Sequence, residues 1–114
     1  MEEIISEAKA LGQKIAEHPR MKEFMAATRA VEQDSNAQAI LRKYQEQVQK
    51  IRELEQTGKP IEVTDKQALA DCEAEVAGND LLKEMIRTQA DYVELMQQIN
   101  SAIDEAAATA QRQS

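Results

Sequence analysis

The chain has 114 residues, a formal net charge of -7 and only three aromatic residues, Phe24, Tyr44 and Tyr92. This length suits one domain with one hydrophobic core, and a core poor in aromatic side chains is typical of packed helices rather than of a β-sandwich. The negative charge opposes phosphate groups, and no cluster of Lys and Arg interleaved with aromatic residues offsets it, so direct nucleic-acid binding is not expected.

The opening segment Met1-Glu-Glu-Ile is polar and amphipathic. It resembles neither a secretory signal, which has a basic start and an apolar stretch, nor a membrane span. A single cysteine, Cys72, cannot form an internal disulfide. We therefore expect a cytoplasmic protein without a membrane span.

Two helices separated by a proline are predicted near the start of the chain. Helix one runs from about Glu2 to Glu17 and is followed by His18-Pro19. Proline disfavours helical geometry at the residue before it but fits the first turn of a new helix, so Pro19 should begin helix two, which closes near Gln33. His18 is predicted to be a surface or capping residue. The apolar positions of helix one at helical spacing are Ile4, Ala8, Leu11 and Ile15.

Helix three is predicted from about Asn36 to Gln56, after the run of N-cap residues Asp34-Ser35-Asn36. A strong stop signal follows in Thr57-Gly58-Lys59-Pro60, because glycine accepts a left-handed conformation and proline cannot prolong a helix. The third helix is therefore long, and a turn follows it.

Helix four is predicted to begin at a capping box of Thr64 and Gln67, after an extended connector over residues 61–63. Cys72 lies in phase with Leu69 and Val76, which favours a buried position in the core. The alternative is a metal or redox ligand, and an iron-sulfur site would then need cysteines from several chains. The sequence leaves that alternative open.

Helix five should follow Gly78-Asn79-Asp80 and carries an apolar seam with alternating steps of three and four residues, as in a coiled coil. About 30 residues of helix extend about 45 Å, whereas a compact globule of this length is about 34 Å across. The helix therefore extends past its own domain. The seam residues are Leu82, Met85, Gln89, Tyr92, Met96, Ile99, Ile103, Ala106 and Ala110.

Seven of these seam residues are predicted to form a partner interface: Leu82, Met85, Gln89, Tyr92, Met96, Ile99 and Ile103. The preferred occupant is a second copy, in a homodimer or larger assembly, and the alternative is a monomer in which helix one folds back over the seam. Gln89 either hydrogen-bonds across the interface or lies at its solvated edge, and the edge is preferred.

The fold class expected from these elements is all-α, an elongated antiparallel bundle of about five helices in a single domain over residues 1–114, with helices three and five the longest. No catalytic residue, cofactor site or metal site is predicted. His18 is the only histidine, and neighbouring carboxylates on one helix diverge around its axis. The protein is therefore expected to bind other proteins rather than to be an enzyme. The alternative is a chaperone-like coiled-coil assembly factor.

Several short motifs in order resemble the YlbF/YmcA family of small helical regulators, which is related to the YheA-type proteins. The resemblance implies an all-helical regulatory adaptor without enzymatic activity, which self-associates and has heteromeric protein partners in a bacterial complex affecting RNA processing or developmental control. The motifs are Ala8-x-x-Leu11-Gly12-x-x-Ile15, His18-Pro19, Asp34-x-x-Ala37-x-x-Ile40-Leu41, Tyr44-x-x-Gln47, Gln56-Thr57-Gly58-Lys59, Asn79 and Ile99-Asn100-x-x-Ile103.

Overall fold

The computed structural model describes residues 1–113 as five α-helices, with no β-strand among them. The result confirms the all-α class, the number of helices and the two long helices. The helices are α1 (Glu2–Glu17), α2 (Pro19–Glu32), α3 (Ser35–Gln56), α4 (Val63–Ala77) and α5 (Asp80–Gln113).

The break between α1 and α2 is made by His18, whose backbone is extended, with φ -67° and ψ 138°. The backbone N–H of Arg20 donates to His18 Nδ1 at 3.1 Å, which satisfies one of the free donors at the start of α2. The capping role predicted for His18 is confirmed, and Pro19 is the first residue of α2.

Both ends of α3 are closed by the residues that the sequence indicated. The carboxylate of Asp34 accepts a hydrogen bond from the Ala37 backbone N–H at 2.9 Å. After the helix, Gly58 takes the left-handed φ of 72°, and the Lys59 N–H donates to the Leu54 carbonyl at 3.0 Å. This reversal is the Schellman arrangement, which satisfies carbonyls at the end of a helix.

The predicted start of α4 was wrong. Val63 is already helical, Glu62 is the N-cap, and the reciprocal partner is Asp65, so neither the Thr64–Gln67 capping box nor the extended Val63 is present. Oδ2 of Asp65 accepts from the Glu62 backbone N–H at 3.2 Å. Because this bond satisfies the backbone N–H of Glu62, two residues before Thr64, α4 begins earlier than the sequence predicted.

The chain divides into two compact units, one containing Met1–Ala26 and the chain from Arg87 onward, the other Ala27–Ile86. The prediction of one domain over the whole chain stays a prediction. In the second unit, α3 and α4 form an antiparallel pair, and the core consists of Val31, Ala37, Val76 and Leu82. Half-buried side chains pack against this core: Ile40, Leu41, Tyr44, Leu81 and Met85.

Candidate partner interface

The N-terminal part of the predicted seam packs within the chain itself. Leu82 is fully buried in the core of the second unit, and Met85 packs against that core. Gln89 is exposed in the single chain, and its place at the solvated edge of an interface stays a prediction. Leu82 therefore has no surface to offer a partner in this conformation.

The C-terminal part of the seam is progressively more exposed. Tyr92, Met96 and Ile99 are half-buried, Ile103 is 50% exposed, and every residue from Asn100 to Gln113 is exposed. Tyr92 stacks on Phe24 with ring centroids 5.3 Å apart, which uses one face of its ring within the first unit. The apolar side chains left for a partner are those of the α5 distal surface, which we define as Met96, Ile99, Ile103, Ala106 and Ala110.

Arginine side chains join α2 to α5 in the first unit. Arg20 donates to the Asp91 carbonyl at 3.4 Å and lies 3.9 Å from Glu94, while Arg87 lies 4.0 Å from Glu23. Residues later in α2 meet residues earlier in α5, so the two helices run antiparallel. These pairs are largely solvated and each contributes less than about 1 kcal/mol, so they set direction more than stability.

The first helix contributes a second exposed apolar surface. No residue of α1 is buried; Ile4 is 66% exposed and Ile5 is 46% exposed, while Leu11 and Ile15 are half-buried. We define the α1 stripe as Ile4, Ala8, Leu11 and Ile15. Contiguous apolar side chains left in water on a small protein commonly mark an interaction site.

Sequence reasoning missed a polar centre that holds α3 to α4. The Lys50 ammonium lies 3.0 Å from Asp65 Oδ1, and Gln47 Nε2 donates to the Asp65 carbonyl at 3.0 Å. The hydrogen bond from Lys50, followed by that from the Glu62 N–H, lowers the pKa of the Asp65 carboxyl from its ordinary value of 3.8. No local sequence pattern indicates this centre, because the turn between the two helices brings Lys50 and Asp65 together.

Cys72 lies in a shallow groove between α3 and α4, with a volume of about 540 Å³. It is half-buried and outside the core cluster, so the prediction that it points into the core was wrong. The helix carries Val76 inward and leaves Cys72 at the boundary, beside the ion pair that joins Lys43 to Glu75 at 3.6 Å. Within residues 1–113, no three His, Cys, Asp or Glu side chains are grouped closely enough to hold a metal ion.

A comparison with known families identifies the chain. The sequence model of a family described as "Control of competence regulator ComK, YlbF/YmcA" matches residues 4–107. The chain belongs to this family. The resemblance drawn from the sequence motifs is thereby confirmed.

Two curated relatives of this YlbF/YmcA-family chain come from lactobacilli. A UPF0342 protein of Lactobacillus helveticus is 28% identical over 99 residues, which cover 87% of this chain and 85% of the relative. A UPF0342 protein of Lactobacillus acidophilus is 27% identical over 96 residues, covering 84% and 83%. The similarity therefore extends over most of each protein.

A solved structure shares the fold of this family member. One chain of the crystal structure of Bacillus subtilis RicA in complex with RicF superposes with a TM-score of 0.77 at 17% identity, covering 93% of this chain and 94% of the neighbour. At 17% identity this likeness shows the helical fold alone. No helix described in the structure is both long and apolar enough to cross a lipid bilayer.

Proposed function

We propose that this protein is a regulatory adaptor without enzymatic activity, which acts by binding other proteins through the α5 distal surface and the α1 stripe. The observation that carries the proposal is the exposure of their apolar side chains, 66% for Ile4 and 50% for Ile103. Burying one such side chain contributes about 1.5 to 3 kcal/mol, so several together can support a specific complex.

The family supports a regulatory purpose for this binding. Its description names control of the competence regulator ComK, and the structural neighbour is a chain of a crystal structure of RicA in complex with RicF. We propose by analogy that the bound proteins include components of a bacterial regulatory complex, one that affects RNA processing or developmental control.

The charged side chains of the α3–α4 groove support the absence of enzymatic activity. Lys43 is paired with Glu75, and Lys50 with Asp65, so each lysine is already engaged in holding the helices together. A catalytic acid or base needs a free proton position within reach of a substrate. The groove is also shallow, whereas small-molecule sites are usually concave and enclose most of the ligand.

Affinity purification from the native host tests the proposal. A tagged chain is compared with Ile103→Glu, which places a charge on the α5 distal surface. The control is Val93→Glu, on the same helix but outside the seam, where the side chain is 42% exposed. Circular dichroism confirms that both variants keep their helix content, and each purification is repeated after ribonuclease treatment.

We expect the tagged chain to recover a small, reproducible set of proteins. Their recovery should fall by at least about tenfold with Ile103→Glu and stay unchanged with Val93→Glu. A tenfold loss of affinity corresponds to about 1.4 kcal/mol of binding free energy. Proteins that disappear only after ribonuclease would point to binding through RNA and overturn direct protein recognition. Equal retention by both variants would remove the α5 distal surface as the site. A changing set of unrelated, unfolded proteins would favour a chaperone-like activity.

A further inference from the structure

We propose that His18 is a proton-sensitive cap between α1 and α2. The neutral imidazole holds the first turn of α2, and the protonated imidazole releases it, so that α1 loses its fixed direction. Histidine is the side chain that ordinarily changes charge between about pH 5 and pH 8, so the cap responds to modest changes of pH. The inference concerns the conformation of the chain and does not depend on the proposed function.

The residue His18 closes one helix and opens the next. Its backbone N–H donates to the Ile15 carbonyl at 3.0 Å, at the end of α1, and its carbonyl accepts from the Lys22 N–H at 3.0 Å, at the start of α2. Its ring Nδ1 accepts from the Arg20 N–H at 3.1 Å. Because the ring of Pro19 fixes the next φ, the direction of α1 at the start of α2 is set mainly at His18.

The ring caps α2 only in its neutral form. An imidazole nitrogen accepts a hydrogen bond through its lone pair, and in the protonated ring both nitrogens are donors. The Arg20 N–H then loses its partner, and a positive ring lies at the positive end of the α2 dipole.

The cap of α3 is of a different kind. The carboxylate of Asp34 accepts from the Ala37 N–H at 2.9 Å, and an aspartate ordinarily stays ionised well below neutral pH. The two caps therefore hold equivalent turns but differ in their response to protons.

The charged groups on the helices that meet near the break are Lys14 and Glu17 on α1, Arg20 and Lys22 on α2, and Asp91 and Glu94 on α5. The Arg20 guanidinium lies 3.9 Å from Glu94, so this carboxylate already faces a positive charge. Protonation of His18 adds a second positive charge next to Arg20 in the chain. Attraction of the ring to Glu17 or Glu94 does not restore the cap, because the protonated ring has no lone pair with which to accept.

Little else holds α1 in place, so the loss of this cap affects α1 more than it would a buried helix. No residue of α1 is buried, and its apolar packing consists of half-buried side chains such as Leu11 and Ile15. Segments with few buried apolar contacts open at low free-energy cost. Release of the cap therefore frees α1, and the α1 stripe loses its fixed place on the molecule.

Nitrogen NMR on the full-length chain tests the cap directly. The ring nitrogens of His18, the only histidine, report which nitrogen carries the proton. Hydrogen exchange of the Arg20 amide, corrected for the intrinsic effect of pH, reports the bond to the ring. The wild type is compared at about pH 8 and about pH 5 with His18→Asn, whose oxygen accepts at both values, and with His18→Ala, which has no acceptor. The Ala37 amide, held by Asp34, is the control within each sample.

We expect the neutral ring to carry its proton on Nε2. Protection of the Arg20 amide in the wild type should fall by at least about fivefold at the lower pH, while that of Ala37 stays unchanged. His18→Asn should keep the protection at both pH values, and His18→Ala should lack it at both. A neutral ring protonated on Nδ1, equal wild-type protection at both pH values, or the same fall in His18→Asn would each overturn the proposal.

Pulsed electron paramagnetic resonance between two spin labels tests the release of α1. Cys72 is first replaced with serine, and the labels are attached to Ser6→Cys on α1 and Met25→Cys on α2, which are both exposed positions. We expect the distance distribution to broaden at the lower pH in the chain with His18 and to keep its width in the chain with His18→Asn. An unchanged width in both chains, or equal broadening in both, would refute the release of α1 by His18.

Discussion

Replacing Leu82 with alanine should destabilise the folded chain by about 3 to 5 kcal/mol. Leu82 is fully buried among Val31, Ala37 and Val76. Truncation removes the transfer free energy of the lost carbons and leaves a cavity that the surrounding helices fill only partly. The cost is expected in the upper part of the usual range because no water replaces the lost contacts.

The matched substitution is Ile103→Ala, in the same seam and at the equivalent seam position. Ile103 is 50% exposed, so its truncation in a monomer should cost less than about 1 kcal/mol, partly offset by the better helix propensity of alanine. Urea unfolding is followed by circular dichroism, at a protein concentration low enough that the midpoint no longer depends on it. A loss of 3 kcal/mol lowers the midpoint by about 1 M or more.

Equal costs for the two substitutions, or a cost below about 1 kcal/mol for Leu82→Ala, would refute the division of the seam into a core part and an exposed part. The comparison is informative because sequence periodicity treats both residues alike. Only their burial separates them.

Asp65→Asn should unfold at a lower urea concentration than the wild type near neutral pH, and the difference should shrink in acid. Because the pKa of the Asp65 carboxyl is lowered in the folded chain, the ionised carboxyl stabilises the fold above its ordinary pKa. This stabilisation is lost as the pH falls through the folded pKa. A pH-independent difference would contradict this role. Gly58→Ala should destabilise the fold by about 1 kcal/mol because φ is 72° at this position. Gly12→Ala lies in the middle of α1 with nothing within 4 Å of the added carbon, so it should stabilise the fold by about 0.5 to 1 kcal/mol. Thermal unfolding of both variants checks that the two changes have opposite signs. Asp34→Ala should cost about 1 kcal/mol through the lost cap of α3, and Asp34→Ser should recover most of it in the same urea assay.

Local chemistry explains why most helix boundaries could be predicted. The residues at these boundaries act through their own backbone geometry, as Pro19 and Gly58 do, or through side chains that reach only three residues. Asp34 and Asn79 are of the second kind, and the Leu82 N–H donates to Asn79 Oδ1 at 3.0 Å. The start of α4 could not be chosen in the same way. Both Thr64 and Glu62 are followed three residues later by a possible capping partner.

The sequence by itself determined the helical class, four of the helix starts and the family, because these depend on periodicity and on short-range hydrogen bonds. The tertiary structure alone decided which seam residues are available to a partner. Leu82 and Ile103 have equivalent positions in one repeating pattern, yet the first is enclosed by α2, α3 and α4 residues and the second remains in water. Periodicity assigns a side chain to a face of its helix, while burial depends on which distant residues pack against that face.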